Sequence, residues 1–424
     1  MLDPISGAEE FLIRHHQHQN SFDAEELSER IGEQIETALK CEDSSFMMLP
    51  TYIAQPKDFL PNGRAVAIDA GGTRLRVGLG HLHNSAVFIE NPVTIAMPGS
   101  GGAAVSSDEF FSILAELIAP LTKRADSIGF CFSFPVEATS AHDAVVQYLS
   151  KEVRIDGLTG LHLGDNLNRA IVSAGGRALP ITIVNDTAAC YLAGKAKLSD
   201  EYGYGGAAAL IAGTGINLCY PEQDLLVNTE CGGYTGLSLG TADSIVDSKS
   251  DNPGRFLFEK QTSGAYLGAL FTQLLHLAGK DGLLSSTAIR KLESLDGGLT
   301  SDDTDKFLRQ LNHDTLIYPL CSDHNDYGVM ATIAKIMFMR AGKLAAAMVT
   351  AFARHMDGGR EEKSPFVLYT GGGLCSESLL FAPQLERHLA DNLKRTDKRH
   401  VVRLHSPGDN LGGAVIASAL AGQG

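Results

Sequence analysis

An apolar run that ends in a carboxylate and then in Gly-Gly-Thr constrains this chain more than any other feature. Arg64-Ala-Val-Ala-Ile-Asp69 leads through Ala70 into Gly71-Gly72-Thr73, and Leu75-Arg-Val-Gly-Leu79 then alternates as a half-buried strand does. The arrangement returns later: Ala207 to Ala212 is an apolar strand that breaks at Gly213-Thr214-Gly215 and resumes as Ile216 to Tyr220. Glycine admits φ > 0 and lets the backbone approach a ligand closely, so successive N–H groups can face phosphate oxygens. The Thr hydroxyl adds a donor, and an Asp at the strand end can hold a hydrated Mg²⁺ that neutralises phosphates. Neither turn carries the GxxxxGK[ST] or GxGxxG pattern. Taken singly, each also reads as a tight hairpin cornered by glycine. Two of them, with Gly371–Gly373 and Gly408–Gly413 also following apolar runs, weigh against coincidence.

The rest of the chain alternates strands with helices, which predicts α/β layers. Residues 8 to 40 predict a helix, and a loop with Pro50, Pro56 and Pro61 follows. Residues 86 to 96 predict a third strand. Ser106 to Pro120 predicts a helix with Ser106 and Glu109 at capping-box spacing, and Ile128 to Phe134 a buried strand. Ile181-Thr-Ile-Val-Asn-Asp186 predicts a strand ending in a carboxylate with a short helix behind it. Asp186 is the best candidate for a catalytic base; it is equally the N-cap of that helix. From 259 to 356 the chain reads as mostly helical, with a long apolar stretch over 326–356. Pro365 to Thr370 and Val401 to Leu404 read as strands, and Gly412 to Ala421 as a small-residue helix.

Composition narrows the function. A length of 424 residues suggests two or three domains, and 44% hydrophobic residues can bury a large core. The net charge of −15 offers no basic surface for nucleic acid or anionic membrane, so neither is an expected partner. The longest apolar stretches, such as Leu344 to Ala353, fall short of the ~18–20 residues of a spanning helix. The N-terminus lacks the pattern of a secretory signal. Seven cysteines lie far apart with no CxxC pair, so we expect a reduced, cytoplasmic protein.

At this point the residues resemble a known family, the hexokinases of the actin-like ATPase superfamily, from about residue 47 onward. Met48-Leu-Pro-Thr-Tyr52 resembles its MLPT segment. Asp69-Ala-Gly-Gly-Thr-Arg-Leu-Arg76 is similar to the first phosphate motif, DLGGTNxR, and Gly129-Phe-Cys-Phe-Ser-Phe-Pro135 to the sugar-binding GFxFSFP. Ser150-Lys151 falls where the family has Thr-Lys. Val184-Asn-Asp-Thr187 matches VNDT, which carries the base, and Gly213-Thr-Gly-Ile-Asn217 the second phosphate motif. Glu230 with Gly232 resembles the E-x-G sugar motif, and Phe258-Glu-Lys-Gln-Thr-Ser-Gly264 resembles FEKxxSG. Three departures stand out: Arg74 replaces the usual Asn, Cys231 replaces the aromatic after Glu230, and Leu149 replaces the aromatic before Thr-Lys.

The resemblance implies a two-lobed actin-like ATPase (ribonuclease H-like) α/β fold with a central cleft. The small lobe would hold 63–187 plus 407–424, and the large lobe 1–62 plus 188–406. It implies ATP-dependent phosphorylation of a hexose, glucose above others, at the 6-hydroxyl. Asp186 would be the general base, and Lys151 would steady the phosphoryl group. Ser133, Phe134, Ser150, Lys151, Asn185, Asp186, Asn217, Glu230 and Glu259 would bind the sugar. Asp69, Gly71, Gly72, Thr73, Arg74, Arg76, Gly213, Thr214, Gly215, Gly372 and Gly373 would face ATP, and Asp69 would hold Mg²⁺ through water. The expected partners are a hexose and ATP, in a monomer or homodimer. The alternative is a hexose-binding sensor with the same fold and little turnover.

Overall fold

Each glycine turn closes an antiparallel hairpin, and around each hairpin the chain builds the same sheet. The structure, a computed structural model, describes residues 4–40, 42–55, 62–149, 153–197, 206–295, 297–309, 315–356, 358–396, 400–405 and 409–422. In chain order the strands of the two main sheets are β1 (Leu49–Ala54), β2 (Gly63–Ala70), β3 (Arg74–His83) and β4 (Ala86–Ala96). Then follow β5 (Ser127–Phe132), β6 (Ile181–Val184), β7 (Gly206–Ala212), β8 (Ile216–Glu222), β9 (Leu225–Asn228), β10 (Phe366–Gly371) and β11 (Val401–His405). The smaller sheet runs β4-β3-β2-β5-β6, and the larger runs β9-β8-β7-β10-β11 with β1 added beside β9. In each, three antiparallel strands are extended by two parallel ones. Parallel neighbours need long crossovers. Helices Ser107–Ile118 and Leu163–Ser173 supply them in the smaller sheet, and Phe381–Lys394 joins β10 to β11 in the larger.

The helix that follows the fifth strand of each sheet is the joint of the molecule. Asp186–Lys197 follows β6 and packs on β7, β8 and β10 of the other sheet; Asn410–Ala421 follows β11 and packs on β2, β3 and β5. The two helices also pack on each other, in an apolar cluster that contains Ala188, Tyr191, Ala414 and Ala417. Small residues permit this approach. A Cβ at Gly413 would collide with the carbonyl of Ala189. The lobe border drawn at 187/188 from the sequence therefore cuts the first turn of a helix that touches both sheets.

Three sequence expectations need correction. The helix expected over 8–40 is two helices, Pro4–Arg14 and Ala24–Leu39. Asp23 starts the second by accepting from the N–H groups of Glu25 and Glu26. The expected Pro50 loop contains β1, an edge strand whose position tolerates proline because one side of its backbone needs no ladder bond; Pro56 and Pro61 lie outside the described residues. Finally, His324–His355 is long and apolar enough over 18 residues to match a membrane span, against the expectation from Leu344–Ala353. It is instead the buried axis of the larger lobe, packed against Ala24–Leu39 and Phe381–Lys394.

Candidate active site

The ends of several strands converge on one cavity of about 470 Å³ between the sheets. Its walls include Gly71, Gly72 and Thr73 from the turn after β2, Ser133 and Phe134 after β5, and Asn185 and Asp186 after β6. From the larger sheet come Gly213, Thr214, Gly215, Asn217, Gly372 and Gly373, joined by Glu230 and Glu259. Asp69, Arg74 and Arg76 stand outside this lining. Ser150 and Lys151 lie outside the described residues.

Backbone hydrogen bonds fix the first turn. Gly71 N donates to Arg74 O at 3.0 Å, and Ser133 N donates to Ala70 O at 3.1 Å, so the post-β5 loop is tied to the post-β2 turn. Asp69, only 5% exposed, ends β2 opposite Arg76 on β3. The Arg76 Nε donates to Asp69 Oδ2 at 2.8 Å, and its Nη2 reaches the same oxygen. Arg76 therefore acts on the carboxylate rather than on the cavity. Arg74, on the same face two residues earlier, is exposed. Beneath them, burial and then the charges of Asp69 and Asp186 hold the Cys131 thiol well above its ordinary range.

The two readings of Asp186 separate here. The capping bonds belong to Asn185, whose Oδ1 accepts from Thr187 N at 2.9 Å and from Thr187 Oγ1 at 2.7 Å. Asp186 is the first residue of the helix itself and lines the cavity. The N-cap position is therefore that of Asn185, one residue before Asp186.

On the opposite wall the second turn is clamped by the helix Gly264–Lys280. Gly264 N donates to Gly213 O at 2.7 Å, and Ala265 N to Thr214 O at 3.0 Å. Gly372 approaches from β10 with φ +87°, and a Cβ there would strike the carbonyl of Ala212. Below the turn sits a cluster of amides and carboxylates. Glu230 Oε1 accepts from Asn217 Nδ2 at 3.1 Å and from Asn228 Nδ2 at 2.8 Å. Glu259 Oε2 accepts from Ile216 N at 3.3 Å and lies over Gly215 and Gly232, where a Cβ would press against it. Burial pushes the thiol of Cys231 up, with Glu230 adding to the rise, so the residue replacing the family's aromatic is an inert filler.

Carboxylates next to amides, opposite a further carboxylate and two turns of backbone donors, can bind a polyol and hold one of its hydroxyls where it can accept a phosphoryl group. Among the further wall residues that escaped the sequence reading are Tyr148, Asn252, Phe256 and Tyr266. Asn252 is held through its carbonyl by Lys260 Nζ at 2.8 Å, and Lys260 is itself paired with Asp247 at 2.7 Å. The signal for that pair was the Lys beside Glu259. A second cavity of about 300 Å³ adjoins Gly213, Thr214 and Gly373, with Ser301, Asp302, Glu377 and Ser378 in its walls. Gly213, Thr214 and Gly373 were expected to face ATP, whereas no local pattern marked Ser301, Asp302, Glu377 or Ser378.

Two family models, both described as hexokinase, match residues 13–196 and 207–419. Tobacco hexokinase-2, chloroplastic (Nicotiana tabacum), is 28% identical over 89% of this chain and 83% of its own length. Human hexokinase-1 is 27% identical over 88% of this chain, which spans 43% of the human protein. Among solved structures, a crystal structure of a hexokinase superposes with a TM-score of 0.79 at 22% identity, covering 98% of this chain and 99% of the other. The hexokinase of Schistosoma mansoni in complex with glucose gives 0.74 at 20% identity, covering 98% and 99%.

Proposed function

This chain belongs to the hexokinase family and is a kinase that phosphorylates a hexose with ATP, and from that premise we propose that it phosphorylates glucose at the 6-hydroxyl with Asp186 as general base. The observation that carries the proposal is the position of Asp186. It follows the capping residue Asn185 and shares one cavity with both glycine turns and the amide–carboxylate cluster. A sensor without turnover has no use for that carboxylate, which weighs against the alternative.

In the proposed reaction Asn217, Glu230 and Glu259 hold the sugar by its vicinal hydroxyls, with Ser133 and Asn185 on the other wall. The 6-hydroxyl oxygen forms a bond to the γ-phosphorus as the bond from that phosphorus to the bridging oxygen breaks. Asp186 takes the hydroxyl proton, and ADP leaves. Chemistry of this kind needs mainly positioning and electrostatic stabilisation. The turns at 71–73 and 213–215 supply backbone donors, and the adjoining cavity would take the nucleoside. Asp69 fits a hydrated Mg²⁺ through one oxygen: Oδ2 accepts from both Nε and Nη2 of Arg76, while Oδ1 accepts from Asn410 Nδ2 and keeps a lone pair for metal-bound water. When bound, the ion would neutralise phosphate charge. A reducing, cytoplasmic setting and a monomer or homodimer complete the proposal. The six described cysteines are thiols, which supports the first; the second is supported by a cavity whose described lining comes from one chain.

The test is ADP release measured across glucose, fructose, mannose and glucosamine, with ³¹P–¹H correlation of the product. Phosphate on the 6-oxygen of glucose is the expected result. Turnover confined to another sugar, or phosphate on another oxygen, overturns it.

A further inference from the structure

We propose that Tyr148 is a specificity-determining residue of the sugar site: its hydroxyl donates to the bound hexose and its ring limits the size of ring substituents. This rests on the hexose kinase reading and deepens it. The placement starts in the chain direction. Gln147 N donates to Pro135 O at 3.0 Å, which ties the segment after the Ala144–Val146 strand to the loop carrying Ser133 and Phe134. Leu149 packs on the apolar core of the smaller lobe, whereas Tyr148 lines the cavity, 37% exposed. An aromatic residue thus stands one position before Leu149 and faces the cleft.

Its surroundings match a sugar rather than a phosphate. Burial, then the carboxylates Glu230 and Glu259, push the Tyr148 phenol up to about 12, while Arg255 acts the other way. The hydroxyl therefore keeps its proton at any pH near neutrality and is a donor. Those two carboxylates are the groups to which hexose hydroxyls are assigned above. Arg255 lies 5.3 Å over the ring of Phe256, which lines the same cavity in a left-handed backbone conformation, φ 54°. A sugar has apolar C–H faces as well as hydroxyl edges, and an aromatic ring from each lobe is a rigid wall for such faces. A rigid wall admits a hydroxyl and refuses an acylated amine.

The experiment measures kcat and KM of the full-length protein and of Tyr148→Phe and Tyr148→Ala, with glucose and with N-acetylglucosamine. Tyr148→Phe is expected to raise KM for glucose about 3- to 10-fold, the loss of one neutral hydrogen bond, with KM for ATP unchanged. Tyr148→Ala is expected to raise the N-acetylglucosamine to glucose ratio of kcat/KM by about tenfold or more. Tyr148→Phe removes one oxygen and keeps the packing, so the test survives if the alanine variant unfolds. An unchanged glucose KM in Tyr148→Phe, with glucose turnover retained, overturns the donor role; an unchanged ratio in folded Tyr148→Ala overturns the size limit. If the unaltered protein transfers phosphate to no hexose, the functional reading fails instead.

Discussion

Asn410 donates from Nδ2 to Oδ1 of Asp69 at 3.1 Å, joining two residues 341 positions apart. Asp69 ends the first strand of the smaller sheet, and Asn410 starts the helix that follows the last strand of the larger one. Arg76 holds the other oxygen. The carboxylate beside the first glycine turn is thus aimed from both halves of the molecule. Replacing Asn410 with Ala should raise KM for the Mg²⁺–ATP complex about tenfold, as losing a partner of a metal-facing carboxylate commonly does. KM for glucose should hold. Equal changes in both constants would mean a general loosening of the cleft.

Asp186→Asn should cut kcat by ~10²–10⁴ while leaving sugar affinity within a few-fold, because the amide keeps the shape and loses the base. The helix should be unaffected, since Asn185 caps it. Sugar binding by calorimetry alongside single-turnover rates checks both halves. A variant with near-normal turnover removes Asp186 from the mechanism.

Deep in the larger lobe, Arg340 is 4% exposed and bonds Asp243 through two nitrogens, at 3.2 and 2.7 Å, with Gln261 and Gln17 as further acceptors. Removing one side of a buried pair leaves a charge with no compensation. Arg340→Met should therefore cost about 3–5 kcal/mol of stability in urea unfolding. The double variant Arg340→Met with Asp243→Leu should recover part of it. Only part returns, because Asp243 also accepts from Gly240 N at 2.8 Å. A loss below about 1 kcal/mol in the single variant would show that water reaches the pair.

His388 gives the acid response a defined direction. Burial, then the charges of Arg387 and Lys343, lower its pKa to about 4. An unfolded histidine protonates near 6.5, so between those values the unfolded chain binds a proton that the folded one refuses. Stability from this group is complete above pH 6.5 and falls as the pH drops toward 4. Urea midpoints at pH 7, 5.5 and 4.5 should fall less steeply in His388→Gln than in the unaltered chain. Parallel curves would place the acid sensitivity elsewhere.

The turns at 71–73 and 213–215 were legible because their chemistry is local: a glycine pair, a hydroxyl and the strand on either side. Their recurrence matches the two sheets of like order in the fold. Asp186 was legible only as a choice between base and cap, and the capping bonds to Thr187 come from Asn185 beside it. The break before Asp23 could have been read, since an Asp ahead of two Glu residues is a helix start. β1 could not, because Pro50 argues against a strand until its partner, β9, is known to leave one edge open. Tyr148 and Phe256 come to the cleft from segments more than a hundred residues apart, and no spacing rule joins them.

The helix Asn410–Ala421 lies on β2, β3 and β5 so closely that a Cβ at Gly80 would meet Val415, and one at Gly129 the carbonyl of Ala414. It is made long after the strands it covers, 341 residues past Asp69 at its first position. On a ribosome adding 5–20 residues each second, that is a delay of roughly 20 to 70 seconds. For about two-thirds of it the nascent smaller sheet, whose last strand ends at Val184, waits with one apolar face open. Its yield should depend on translation rate, and on whatever shields sticky surfaces at the exit tunnel, more than that of an equally stable lobe encoded in one piece.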